Sequence, residues 1–234
     1  MKQELYSAIW GYSLEDIKKY ALEAENINSK NKNSETALMS AVNRGDPAII
    51  SFLLTIPTLK LEIKNKHKQT ALFLAAKNGD IDLCEILLNA GAKIDSKDYS
   101  EGNVLLAAIQ KSDCFSFLLK HNPDMHCRNG LNMSALTYLY NSEDIKLIKE
   151  LISYSKDIED INNFDQQRKD IYNHHVKKLK LPNLIEANEA LNTSVKEAIT
   201  KIELKLTLEQ SLNTKSIKQN KNLNYFLLSK IEEI

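Results

Sequence analysis

Few residues in this chain carry metal-binding or nucleophilic chemistry: cysteines at 84, 114 and 127, and histidines at 67, 121, 126, 174 and 175. Cys114, His121, His126 and Cys127 are near enough in sequence to be tried as a zinc set, which needs four ligands around a tetrahedron. A histidine directly before a cysteine is poor geometry for that, so these read as loop and core residues, and no metal is expected. His174-His175 reads as a pair on a helix surface, and Cys84 as a small hydrophobe on an apolar helix face. The sequence holds no glycine-rich phosphate cradle, nucleophile elbow, paired-histidine zinc helix or calcium loop, and its six glycines leave little material for a cofactor site. Neither a catalytic residue nor a cofactor is expected. What remains is the chemistry of recognition, carried by side chains that recur in short stretches at 31–35, 65–69, 98–101 and 129–133.

Bulk composition narrows the classes further. The chain of 234 residues is 43% hydrophobic and 26% charged, with 31 basic residues against 31 acidic ones. Residues 167–234 hold 12 Lys and Arg against 8 Asp and Glu, an offset too small for the clustered basic face that nucleic-acid binding needs. No apolar run approaches the roughly 20 residues of a membrane span. An odd number of cysteines without a close pair, and no charged-then-apolar leader before residue 20, predict reduced thiols in a cytosol-like compartment.

The elements that position the recurring stretches repeat as well. Asn31-Lys32-Asn33-Ser34-Glu35-Thr36-Ala37-Leu38 returns as Asn65-Lys66-His67-Lys68-Gln69-Thr70-Ala71-Leu72, and Thr36, Thr70, Asn103 and Ser134 follow one another at steps of 34, 33 and 31 residues. That period belongs to stacked repeat architectures. In the clearest unit, Thr70 reads as an N-cap, Leu72, Ala75 and Ala76 as the narrow face of a first helix, and Asn78-Gly79-Asp80 as a turn with a second cap. Ile81, Leu83, Cys84, Ile86, Leu87 and Leu88 then form a more apolar second helix. Gly45-Asp46-Pro47 repeats the turn upstream, and the unit from Asn103 is two residues shorter before Phe117. One such hairpin cannot bury its apolar face alone, so neighbours must stack. Lys30, Lys64, Lys97 and Arg128 stand just before the turn residues, where the expectation is a row of basic side chains projecting from successive loops.

Gln69-Thr70-Ala71-Leu72-Phe73-Leu74-Ala75-Ala76-Lys77-Asn78-Gly79-Asp80, followed by Leu87-Leu88-Asn89-Ala90-Gly91-Ala92, resembles the ankyrin repeat family. The resemblance implies an all-α solenoid of about four to five helical hairpins over residues 1–166, with 1–30 as an N-terminal capping repeat. Residues 167–234 are expected to hold a divergent capping repeat and a C-terminal helical extension. The family's loop glycine is replaced by Ser34, Lys68, Glu101 and Asn132, which predicts strained turns, and its histidine by Met39, Phe73, Leu106 and Thr137, which removes the usual Thr to His hydrogen bond.

By the same resemblance, the chain is a non-catalytic protein–protein interaction module that binds through the concave face of its solenoid. The implied contact positions are Lys32, Asn33, Glu35, Asn43 and Arg44; Lys66, His67, Gln69, Lys77 and Asn78; Tyr99, Ser100, Gln110 and Lys111; and Leu131 and Met133. Their lysines predict an acidic patch on the partner, with Tyr99, Leu131 and Met133 as desolvated anchors. Trp10 and Tyr12 read as packing residues of the cap. The spacing of apolar residues over 184–191, from Val195 to Leu212, and over 217–231 predicts amphipathic helices that cover the end of the solenoid or mediate self-association. A cytoplasmic setting is expected. The resemblance to repeats used by intracellular bacteria, together with a Lys-, Asn- and Ile-rich composition, extends this to an effector acting in a host cytosol. The competing class is an enzyme or effector with its activity in residues 167–234.

Overall fold

A computed structural model describes residues 2–154, except 12, 24, 25 and 143, and further on only short helical pieces between 163 and 208. The chain divides into two compact units, Met1–Tyr138 and Leu139–Ile234. Among the described residues there is no strand, only one isolated bridge between Arg128 and Ser134.

In the first unit the helices come in pairs: α1 (Lys2–Gly11) with α2 (Leu14–Leu22), α3 (Ala37–Arg44) with α4 (Pro47–Leu54), α5 (Ala71–Asn78) with α6 (Ile81–Asn89), and α7 (Val104–Ala107) with α8 (Ser112–Leu119). The first helices α1, α3, α5 and α7 touch one another in that order, and so do the second helices α2, α4, α6 and α8. Two parallel rows of short helices are the solenoid that the period predicted. Helix α9 (Ala135–Asn141) spans the junction between the units, and α10 (Ile145–Ser153) follows in the second, with Leu147, Ile148, Leu151 and Ile152 on its buried face.

Local chemistry accounts for each boundary. Thr36 and Thr70 cap α3 and α5 by accepting from the amides of Met39 and Phe73, both at 3.3 Å. Both helices end on a left-handed glycine, Gly45 at φ 75° and Gly79 at φ 81°, where a side chain would be strained. Asp46 and Asp80 then cap α4 and α6. The missing residues of the fourth repeat shorten α7 to a single turn ending at Ala108, and α8 starts from Lys111 without a side-chain cap.

The first row approaches closely because it is lined by alanines: Ala37, Ala41, Ala71, Ala75, Ala76 and Ala108 are all buried. The second row supplies bulk through Ile50, Leu53, Leu83, Leu87, Phe115 and Leu118. Burying each such side chain stabilises by roughly 1.5–3 kcal/mol, and the interdigitation makes one continuous apolar seam. Met39, Phe73 and Leu106, where the family has histidine, are buried in this seam and exchange a hydrogen bond for packing.

In the second unit, Val195 is buried and Leu204 is half exposed. His174, His175, Pro182 and the segment 217–231 lie outside the described residues, as does all of 184–191 except Glu189.

Candidate protein-interaction surface

Four loop tips in the first unit are built to one plan. Asn31, Asn65, Asp98 and Asn129 each turn a side-chain oxygen back onto two later amides. Asn31 Oδ1 accepts from Asn33 at 2.8 Å and Glu35 at 3.0 Å, and Asn65 Oδ1 from His67 at 2.8 Å and Gln69 at 3.0 Å. Asp98 does the same with Ser100 and Gly102, and Asn129 with Leu131 and Met133. Short oxygen-bearing side chains suit this local turn. The fourth position of each tip is left-handed and not glycine: Ser34 at φ 61°, Lys68 at 58°, Glu101 at 61° and Asn132 at 60°. The expected strain is therefore present, on the order of 1–2 kcal/mol at each residue other than Asn132.

This turn leaves its second and third side chains outward. Lys32, Asn33, Lys66, His67, Tyr99, Ser100 and Leu131 are all exposed, with Tyr99 at 72% and Leu131 at 81%. Lys77 and Asn78 at the end of α5, and Gln110 and Lys111 before α8, are exposed as well. Met133 is half buried. The last three tips are joined through the backbone, since the Tyr99 amide donates to the His67 carbonyl at 2.9 Å and the Gly130 amide to the Ser100 carbonyl at 2.7 Å. Tyr99 and Leu131 thus stand on adjoining fingers, and the Lys68 ammonium lies 5.4 Å from the centre of the Tyr99 ring.

Two of the expected contact residues turn inward instead. The Arg44 side chain is only 4% exposed; it donates to the Ile9 carbonyl in α1 and pairs with Asp46 at 3.2 Å, so it joins the first repeat to the second. Gln69 is buried and accepts from the Asn65 side chain at 3.3 Å, bracing its own turn. Its counterpart Glu35 accepts from Asn43 at 2.9 Å, which ties the first tip to the end of α3.

Three of the four basic side chains preceding the tips are drawn onto neighbouring backbone, while Lys97 is exposed as expected. Lys30 Nζ donates to the Lys64 carbonyl at 2.6 Å, and Lys64 Nζ to the Lys97 carbonyl at 2.7 Å, so these charges fasten each loop to the next. Arg128 instead donates to Asn132 within its own turn, at 3.1 Å.

Trp10 does not behave as a packing residue: it is 52% exposed and opens with Tyr6, Ser7 and Lys32 into a cavity of about 700 Å³. Tyr6, one turn before Trp10, was the available signal for a shared face, but it gives no direction for that face. The Tyr6 hydroxyl donates to the carbonyls of Ser29 at 2.6 Å and Glu35 at 3.0 Å. Burial first, and the Glu35 carboxylate second, push its phenol up to about 12. Tyr12 lies outside the described residues.

Among the described residues no group of three His, Cys, Asp or Glu is placed to hold a metal. Cys114 faces Cys84, Cys127 lies 3.5 Å from the Glu101 carbonyl, and the His121 ring packs against Phe117. No described helix is long and apolar enough to cross a membrane.

Residues 5–98 match the family model for ankyrin repeats, in three copies. They are ankyrin repeats. No curated protein matches the chain closely enough to count as a relative. Ankyrin repeats are a protein–protein interaction module of a generally non-catalytic family. The fourth hairpin, beyond the matched residues, is entered through the same tip geometry as the second and third, even though its first helix is cut to one turn.

Proposed function

We propose that this chain is a non-enzymatic adaptor that captures a partner protein along its row of ankyrin tips and first-helix ends. The observation that carries this reading is the fourfold tip, whose internal hydrogen bonds are satisfied while its second and third side chains face solvent. Lys32, Lys66 and Lys77 give one part of that face positive charge, and Tyr99 and Leu131 give the next part apolar area. The matching partner carries an acidic patch beside an apolar one, and four units of this size cover about 800 Å² of it. Arg44 and Gln69 are left out of this face.

We further read residues 1–166 as the binding part and 167–234 as a helical extension that caps it or supports self-association. Action in a cytosol, including that of a host cell, is part of the proposal. Crosslinking on the intact chain followed by identification of the captured protein is the direct experiment. Reversing Lys66 and Lys77 to glutamate together should lower capture about tenfold at low salt, mainly through association rate, and leave the melting temperature unchanged. Equal loss of both would assign these lysines to the fold and remove the proposal.

A further inference from the structure

The two helical rows bring one pair of reactive side chains together outside the binding face. Cys84 in α6 and Cys114 in α8 belong to consecutive helical hairpins, and their sulfurs lie 3.9 Å apart. Both are free thiols, 0% and 1% exposed. We infer that Cys84 and Cys114 are a modification site, which a hydroperoxide converts into a disulfide joining the third repeat to the fourth.

Geometry, reactivity and access each support this. A disulfide needs the sulfurs at about 2.05 Å, so they must close by roughly 2 Å from their present separation. Cys114 is the third residue of α8, at the positive end of the helix dipole, where a thiolate is favoured. That helix position makes Cys114 the attacking sulfur, and the hydrogen bond between the two thiols, which lowers Cys114 and with burial added raises Cys84, acts in the same direction. Access comes from a loosely ended joint between α7 and α8. Lys111 gives α8 no side-chain cap and α7 is a single turn, so the turn that bears Cys114 frays before the capped α6 does.

The steps balance. The Cys114 thiolate attacks one oxygen of hydrogen peroxide, the O–O bond breaks, and sulfenic acid and hydroxide form. The Cys84 sulfur then attacks the sulfenic sulfur, the S–O bond breaks, and a second hydroxide leaves. The two thiol protons neutralise the hydroxides, so two thiols and one peroxide give one disulfide and two waters.

The test uses the full chain treated with hydrogen peroxide, then denatured and mapped without reduction. The expected product is a monomer about 2 Da lighter with one linkage, Cys84 to Cys114, and one remaining thiol, Cys127. Its melting temperature should rise by about 5 °C and fall back with dithiothreitol. Cys127→Ala should still form the linkage, whereas Cys84→Ala should stop at an oxygen adduct on Cys114. Three intact thiols after treatment, a linkage through Cys127, a disulfide between chains, or adducts on Cys114 in the unsubstituted chain would each overturn the inference. Because the mapping reads the unsubstituted chain, the result does not depend on either variant folding.

Discussion

In the third repeat a full first helix, Ala71–Asn78, ends on a left-handed glycine and passes the chain to an aspartate that caps Ile81–Asn89. In the fourth, the first helix stops after Val104–Ala107, and Lys111 enters Ser112–Leu119 with no side-chain cap. Yet both keep their inward residues: Leu83 and Leu87 in one and Phe115 and Leu118 in the other are fully buried. The comparison separates two duties within a repeat. Apolar positions fix where the hairpin stacks, while caps and turn glycines set how firmly its ends are held.

The largest effect should come from the shared duty. Leu87→Ala should lower stability by about 3 kcal/mol in urea denaturation, and Leu118→Ala by nearer 2, because the loosely ended fourth hairpin relaxes around the cavity. Equal losses would mean that the fourth repeat is as rigid as the third. Next come the ends. Asp80→Ala should remove about 1 kcal/mol with its cap, and Lys111→Asp, which supplies the cap α8 lacks, should add about 0.5. If Lys111→Asp adds nothing, the missing cap is not what distinguishes the two hairpins. Smallest is the relief of left-handed backbone at the tips. Ser34→Gly and Glu101→Gly should each stabilise by about 0.5 kcal/mol, the strain relieved less the added freedom of the unfolded chain. Asn132→Gly should change almost nothing, since asparagine tolerates that conformation. A melting-temperature series across the three resolves the order.

The stack itself was legible because its signals are local. Thr36, Thr70, Asn103 and Ser134 cap helices from their own chain segment, and Gly45 and Gly79 mark turns wherever they sit. The two-residue shortening before Phe117 was legible too, though not that it would cut α7 to a single turn. Side-chain direction was not legible, because it depends on partners a full repeat away. Arg44 points inward to reach a carbonyl 35 residues earlier, and Lys30 and Lys64 lie down on loops 34 and 33 residues later. A repeat period tells where the backbone returns, not which neighbouring atom a long flexible side chain will find. Gln69 and Glu35 show a second limit, since equivalent positions, each bonded within its own repeat, end at 8% exposure in one tip and half exposed in the other.

The lysine-to-carbonyl contacts of the tips, together with the amide links from Tyr99 to His67 and from Gly130 to Ser100, make the fingers a single laced edge. A macromolecule docking there would meet a preorganised strip and freeze little new backbone on arrival, so most of the conformational entropy of recognition has already been spent in folding. Loosening one lace, for example at Lys64, would weaken recognition at fingers that the substitution never touches.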